Sequence, residues 1–472
     1  MSKISFLKTA ALFLVISFVT KLFLDIPFLG ISLLLTVFCF AYFFCKPSHI
    51  GIAIAVLASG LIPYNKLPSF SVLGGSLYII DLITIVLACT LMLKSFTNYS
   101  HTPSFKKNRL LKPISVLYLL VAIALLRSVI SQANGGAHLI LRDIRPFLYF
   151  IVMYIVLIKT IKNERDYQNL IRGFVSIGIL IGIAQILESK FNLGFTAAWI
   201  REPRVEGGIE LGGIKRVSVP GLSFLIFSIY YLIQDLLNEC KRKFIKFLGL
   251  IICLLGILVA FGRMRFFSLF IGLIILAFFL KQKQRRKLLF LSFGTICLVI
   301  FSCFVLFNVG SESIKRRLLS TFEMSTYYGT SLTARFYENL DAINSIKQNP
   351  VLGIGFGKDY RGSGLLKTRF SGDFTYIHNG YFYILIKFGI IALLPLFWIG
   401  AVFFRNCING CRYLSGFNLI VNIASFITMI SIMIMSFTQA EIGHFPAMTL
   451  IALLLYISEP INNLVLRVNG TN

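Results

Sequence analysis

Long uninterrupted apolar runs, separated by short basic segments, make up most of the chain. A helix that crosses a bilayer needs about 17–25 predominantly apolar residues. By that measure the runs predict fourteen candidate spans, at 6–24, 26–45, 49–63, 77–93, 113–131, 146–160, 170–187, 217–237, 247–262, 266–280, 288–309, 381–404, 418–436 and 444–458. Those at 49–63, 146–160, 266–280 and 444–458 are short. The first two runs follow each other so closely that they form a tight helical hairpin. Lys3 and Lys8 precede the first run, as in a signal peptide, but no small-x-small cleavage site follows, so it reads as the first transmembrane helix. The predicted fold is an all-α polytopic transmembrane bundle of about 12–14 spans. Helices 1–11 occupy 1–309, a large external loop with helical segments occupies 310–380, and helices 12–14 occupy 381–472.

Charge gives the bundle an expected orientation. With the N-terminus inside, the inner loops are 94–112, 159–169, 238–246, 281–287 and 405–417, all basic and short. Lys and Arg accumulate in cytoplasmic loops, so both termini are expected there. The formal charge of +27 would suggest nucleic acid in a soluble protein. Here topology accounts for it and no nucleic-acid partner is expected. The composition, 57% hydrophobic and 14% charged with a mean hydropathy of +0.82, belongs to a chain that lies mostly in lipid. Nine cysteines form no CxxC pair and no His/Cys cluster with zinc spacing, so no metal, cofactor or disulfide framework is expected.

The outer loops break the charge rule. Arg142 and Arg145 fall in 131–145, Arg201 and Arg204 in 188–216, Arg263 and Arg265 in the tight turn 262–265, and Arg335 and Arg361 in 310–380. A guanidinium is a fork of donors matched to phosphate. Arg263 and Arg265 therefore suit an anionic head group, or they snorkel to lipid phosphate as interfacial arginines do. His378, in Tyr376-Ile377-His378-Asn379-Gly380, follows the long loop; it is a general-base candidate or a structural histidine. His138 and His444 also fall outside. So do the acids Asp143, Glu202, Glu206, Glu210, Asp359, Asp373 and Glu441. Asp81 and Lys387 fall within spans, where charge is costly and faces the bundle interior. Within 310–380, Phe336, Leu340 and Ile343 lie at helical spacing over Arg335–Ile346, ahead of the turn that carries Gly353, Gly355 and Gly357. That glycine run serves close packing or forms a nest for phosphate.

This order of features resembles the superfamily of O-antigen polymerases and O-antigen ligases. Arg265 to Leu269 matches an outer-face Arg-x3-Leu. Thr333-Ala334-Arg335-Phe336-Tyr337-Glu338, followed by Asn349-Pro350 and Gly353-Ile354-Gly355-Phe356-Gly357, matches an arginine before an amphipathic helix and a Pro-x-x-Gly-x-Gly turn. His378, Asn379 and Gly389 match His-Asn-x9-Gly, and Ala392 departs from the residue that ligases often carry three positions later. Arg201 with Gly212 and Arg361 with Gly372 fit the Arg-x10-Gly pattern of the polymerases.

The resemblance implies a GT-C-type membrane glycosyltransferase in the bacterial inner membrane, with its active site facing the periplasm and no metal requirement. Donor and acceptor are glycans on undecaprenyl pyrophosphate, membrane lipids surround the site, and a chain-length regulator and a flippase are expected partners. It assigns Arg265 and Arg335 to the pyrophosphate and His378 to the acceptor hydroxyl. Arg201, Arg204, Arg263, Arg361 and Asn379 are placed in substrate binding. Polymerisation of repeat units is the first expectation. A ligase moving the finished glycan to lipid A core is the second. A transporter or flippase without chemistry is the third, although the paired interrupted halves of a transporter are not visible.

Overall fold

The computed structural model describes residues 37–42, 45–62, 69–72, 75–97, 109–131, 137–161, 164–191, 219–238, 243–260, 262–307, 327–360 and 377–469. The span expected at 6–24 and the first part of that at 26–45 lie outside the described residues. In chain order the elements are α1 (Pro47–Ala58), the strands β1 (Ser69–Val72) and β2 (Gly75–Tyr78), and the helices α2 (Ile79–Thr97), α3 (Leu111–Ile130), α4 (Ala137–Thr160) and α5 (Glu164–Phe191). There follow α6 (Leu222–Leu237), α7 (Lys243–Val259), α8 (Arg263–Phe279), α9 (Gln282–Phe307) and α10 (Tyr327–Gln348). The chain closes with α11 (Gly380–Phe388), α12 (Leu393–Tyr413), α13 (Gly416–Met435) and α14 (Phe445–Asn469). The protein is an all-α membrane helical bundle; β1 and β2 form a small antiparallel hairpin between α1 and α2. Among the described residues, Leu111–Ile130, Glu164–Phe191, Ile390–Tyr413 and Gly416–Met435 are long and apolar enough to cross a membrane. Pro47–Ala58, Leu222–Leu237, Met264–Phe279 and Phe445–Glu459 are shorter apolar helices.

Without a hydrophobic force to join helices in lipid, small residues let backbones approach. Gly256 of α7 illustrates this: a Cβ there would lie 2.8 Å from the Cα of Gly182 on α5. Helix α14 packs along α4, and α5, α6 and α7 pack on one another. The side chains between them are chiefly Leu, Ile and Phe.

Asp81 and Lys387, the two charges expected within spans, are both paired. Asp81 receives Arg145 Nη2 at 3.1 Å, the Tyr149 hydroxyl at 2.9 Å and the Tyr78 amide at 3.0 Å. Lys387 Nζ sits 2.6 Å from Asp143 Oδ2, with both side chains almost completely buried.

Three expectations are corrected. Residues 137–145, assigned to an outer loop, are the first turns of α4. Arg142, Asp143 and Arg145 interrupt the apolar run there, but their charges are met by partners, so the helix continues through them. Residues 263–265 form the first turn of α8 rather than a tight turn; Gly262, in extended conformation, precedes it. The run 381–404 is not one helix. Gly389 at φ 72° ends α11, and the apolar span begins at Ile390 and continues to Tyr413. Much of the inner loop expected at 405–417 is therefore helical.

Candidate functional site

Helix α11 positions the site because both its ends are fixed. At the start, Asn379 Oδ1 accepts hydrogen bonds from the Tyr381 and Phe382 amides at 3.0 and 3.2 Å, satisfying two donors that the first turn leaves over. The Gly380 amide donates to the Ser436 carbonyl at 2.7 Å, which joins α11 to the connection between α13 and α14. At the other end, the glycine turn docks on the helix terminus. The Ile354 and Gly355 amides donate to the Ile386 and Lys387 carbonyls, and the Ile390 amide donates to the Pro350 carbonyl. Gly353 and Gly389 each press against the backbone of the opposite segment in this contact. A Cβ on Gly353 would meet the Ile386 carbonyl oxygen at 2.4 Å, and one on Gly389 would meet that of Val351 at 2.1 Å. Both also have positive φ, which a side chain resists. Close packing is thus what the glycine run does here. Phe356 is sealed between Phe147 and Phe388, with ring centroids 6.0 and 5.4 Å away. Arg127 Nη1 caps the turn, donating to the Leu352 and Gly353 carbonyls at 3.0 and 2.9 Å.

Before the α11 cap stands His378. Its Nδ1 lies 2.9 Å from Oε2 of Glu338 on α10, and the Tyr360 hydroxyl donates to Glu338 Oε1 at 3.2 Å. Glu338 is 3% exposed, whereas the His378 side chain is 33% exposed. The carboxylate therefore holds one edge of the imidazole while the ring remains in reach of solvent or substrate. Arg335 lies on α10 one turn ahead of Glu338 and is half-buried.

Arg265, 4% exposed, lies in the first turn of α8. The absent side chain of Gly262 leaves it room, since a Cβ there would lie 2.7 Å from Arg265 Cδ. Its Nη2 donates to Gln439 Oε1 at 2.9 Å. Gln439 belongs to the same connection, 436–444, that ties down the start of α11. Two further groups of that connection sense the site. Burial raises the Glu441 carboxyl to about 7, with the Arg265 charge opposing. Burial, followed by the charges of His378 and Arg265, lowers His444 to about 4. His444 thus lies within electrostatic reach of both residues.

The structure brings His378, Arg265, Glu338, Gln439, Glu441 and His444 around one connection, with Arg335 on the same helix as Glu338. Asn379 acts there as a helix cap. Arg263 lies on the first turn of α8, and Arg201, Arg204 and Arg361 lie outside the described residues, as do Gly212 and Gly372. Glu338 had appeared only as part of a motif and Gln439 not at all. Glu338 has a signal in the sequence: it falls on the side of α10 opposite Phe336, Leu340 and Ile343.

Residues 248–397 match the O-antigen ligase family. That segment, about a third of the chain, runs from α7 into α12 and contains Arg265, Glu338, the glycine turn, His378 and Gly389. Over it the resemblance to the O-antigen polymerase and ligase superfamily holds. The matched segment ends before Gln439, Glu441 and His444, so those three are supplied by chain outside the match. No curated protein matches the chain.

Proposed function

We propose that the protein is a glycosyltransferase that acts on lipid-linked glycans at the outer face of the inner membrane, and that it polymerises repeat units carried on undecaprenyl pyrophosphate. The observation that carries this reading is the His378–Glu338 pair, half open to substrate, tied through one connection to a buried arginine. An acceptor hydroxyl needs a base, and a leaving pyrophosphate needs cationic stabilisation.

In the proposed reaction the acceptor oxygen attacks the anomeric carbon of the donor. The bond from that carbon to the pyrophosphate oxygen breaks, and its electron pair leaves with the lipid carrier. His378 takes the hydroxyl proton. Glu338, bonded to Nδ1, holds the ring so that Nε2 meets the hydroxyl and stabilises the imidazolium that forms. Arg265 and Arg335 offset the charge that develops on the pyrophosphate. Arg201, Arg204, Arg263 and Arg361 are proposed to grip lipid or sugar. No step requires a metal ion. Helix α10 and the glycine turn are proposed to cover the site, and the basic inner loops to orient that side outward.

A ligase is the second reading, favoured by the description of the matching family. The acceptor separates the two. Purified protein given lipid-linked repeat units lengthens them if it polymerises. Transfer to a lipid A core without chain growth would replace the first reading by the second. No transfer to either acceptor would overturn both.

A further inference from the structure

Helix α10 is amphipathic in the reverse sense from a helix packed on a soluble core. At about 100° per residue, Phe336, Leu340, Ile343 and Lys347 fall within one stripe roughly 60° wide. Glu338, Ala342 and Ser345 fall on the opposite side. The side turned toward the protein is the one with Glu338, Ala342 and Ser345, all buried. The apolar stripe faces out: Phe336 is 61% exposed, Leu340 41% and Ile343 36%.

Exposed apolar surface also leads away from the stripe along the chain. Helix α10 ends at Gln348 and runs into the glycine turn, where Val351 and Leu352 are exposed. The turn is bonded to the head of the Ile390–Tyr413 span through Pro350 and Ile390. On that span Ile390, Leu394 and Phe397 are exposed at the i, i+4, i+7 spacing of one helical face. A face so apolar on a membrane span is lipid-facing. The stripe on α10 thus continues a surface whose neighbour is the hydrocarbon of the bilayer.

We infer that α10 is an interfacial helix, lying on the outer membrane surface with Phe336, Leu340 and Ile343 in the lipid and Glu338 turned to His378. Lys347 sits in the middle of the stripe near the helix end and is exposed. Its long stem lies along apolar surface while the ammonium reaches lipid phosphate. A helix with this pattern buries its apolar face at the boundary between head groups and acyl chains. The same helix would then set the depth of His378 relative to the head groups, the level at which a lipid-borne pyrophosphate stands. The inference depends on Ile390–Tyr413 being a span, and stands whichever reaction the site performs.

The test is tryptophan quenching in nanodiscs made from phospholipids brominated on their acyl chains. Trp199 and Trp398 are first replaced by phenylalanine. Phe336→Trp, Leu340→Trp and Ile343→Trp then report on the stripe, and Asn344→Trp reports on the exposed flank. Stripe positions should be quenched by bromolipid at least about twofold more than the flank. Equal quenching of stripe and flank would overturn the inference. So would stripe positions shielded from both bromolipid and aqueous acrylamide, because protein would then cover them. If a stripe variant does not fold, photo-crosslinking to lipid from p-benzoylphenylalanine at the same position decides the same question: a lipid adduct at Leu340 but not at Asn344 supports it, and the converse overturns it.

Discussion

The two ends of α11 each present a base to a buried carboxylate, but with different surroundings. At the C-terminal end, Lys387 meets Asp143, which also pairs with the largely buried Arg142 at 3.4 Å. Asp143 also accepts the Gly357 amide at 2.9 Å, its own carbonyl accepts the Tyr383 hydroxyl, and Lys387 is fully buried. At the N-terminal end, His378 meets Glu338 with a third of the imidazole side chain exposed. Two charges enclosed in this way hold architecture, because neither can exchange its partner or its proton with a substrate. A carboxylate that holds only one edge of a half-open ring leaves the other edge available for chemistry. The difference lies in access, since both pairs are short and both carboxylates are buried.

Substitutions at the open end should therefore affect turnover, and those at the closed end stability. The largest effect is expected for His378→Ala and Arg265→Ala, each lowering chain growth in vitro by about 10²–10⁴-fold. Thermal unfolding of His378→Ala in detergent should stay near that of the parent. If His378→Ala unfolds the protein or retains near-normal turnover, the contrast between the ends fails. Next comes Lys387→Met, which leaves the buried Asp143 to the longer Arg142 contact at 3.4 Å; breaking a buried pair costs about 3–5 kcal/mol. Adding Asp143→Asn keeps an acceptor for the Gly357 amide and should recover much of the melting temperature. A double variant no more stable than Lys387→Met would show that the ion pair is not what holds this end.

Glu338→Gln sharpens the open end further. It should lower turnover by roughly tenfold to a hundredfold, less than loss of the imidazole, and shift the pH–rate profile. Glu338→Asp should recover part of that rate. An unchanged profile would remove Glu338 from the chemistry. The smallest expected effect concerns Glu441, raised to about 7 by burial. The folded state holds its proton more tightly than the unfolded chain does, where the carboxyl titrates near its ordinary 4.5. Stability from this group is full below that ordinary value, falls as pH rises toward 7, and levels off above it. Glu441→Gln should flatten the melting temperature over that window; an unaltered slope would assign it to another group.

The apolar runs made the bundle legible, because their lengths reflect the thickness of the bilayer. Asp81 and Lys387 were also readable as inward-facing charges, since lipid excludes them. What stayed hidden depends on partners far along the chain. Hydropathy places a loop at 137–145 because it cannot see that Asp143 will meet Lys387. It runs through Gly389 because only the docked turn reveals why the helix stops there. The Phe336, Leu340 and Ile343 spacing predicts α10 but not which face turns inward. His378 and Arg265 could be singled out from the charge rule and the resemblance. Gln439 could not, for a glutamine after an apolar run has no distinguishing mark until Arg265 is beside it.

The connection 436–444 has a consequence for biogenesis. His378 and Arg265 emerge from the ribosome well before Ser436 and Gln439, the residues that anchor α11 and the guanidinium. Glu459, which accepts the Leu110 amide, arrives later still. A nascent chain that stops after α12 would carry both residues without the connection that gathers them. Ser436 and Gln439 can thus engage Gly380 and Arg265 only after nearly the whole bundle has been synthesised.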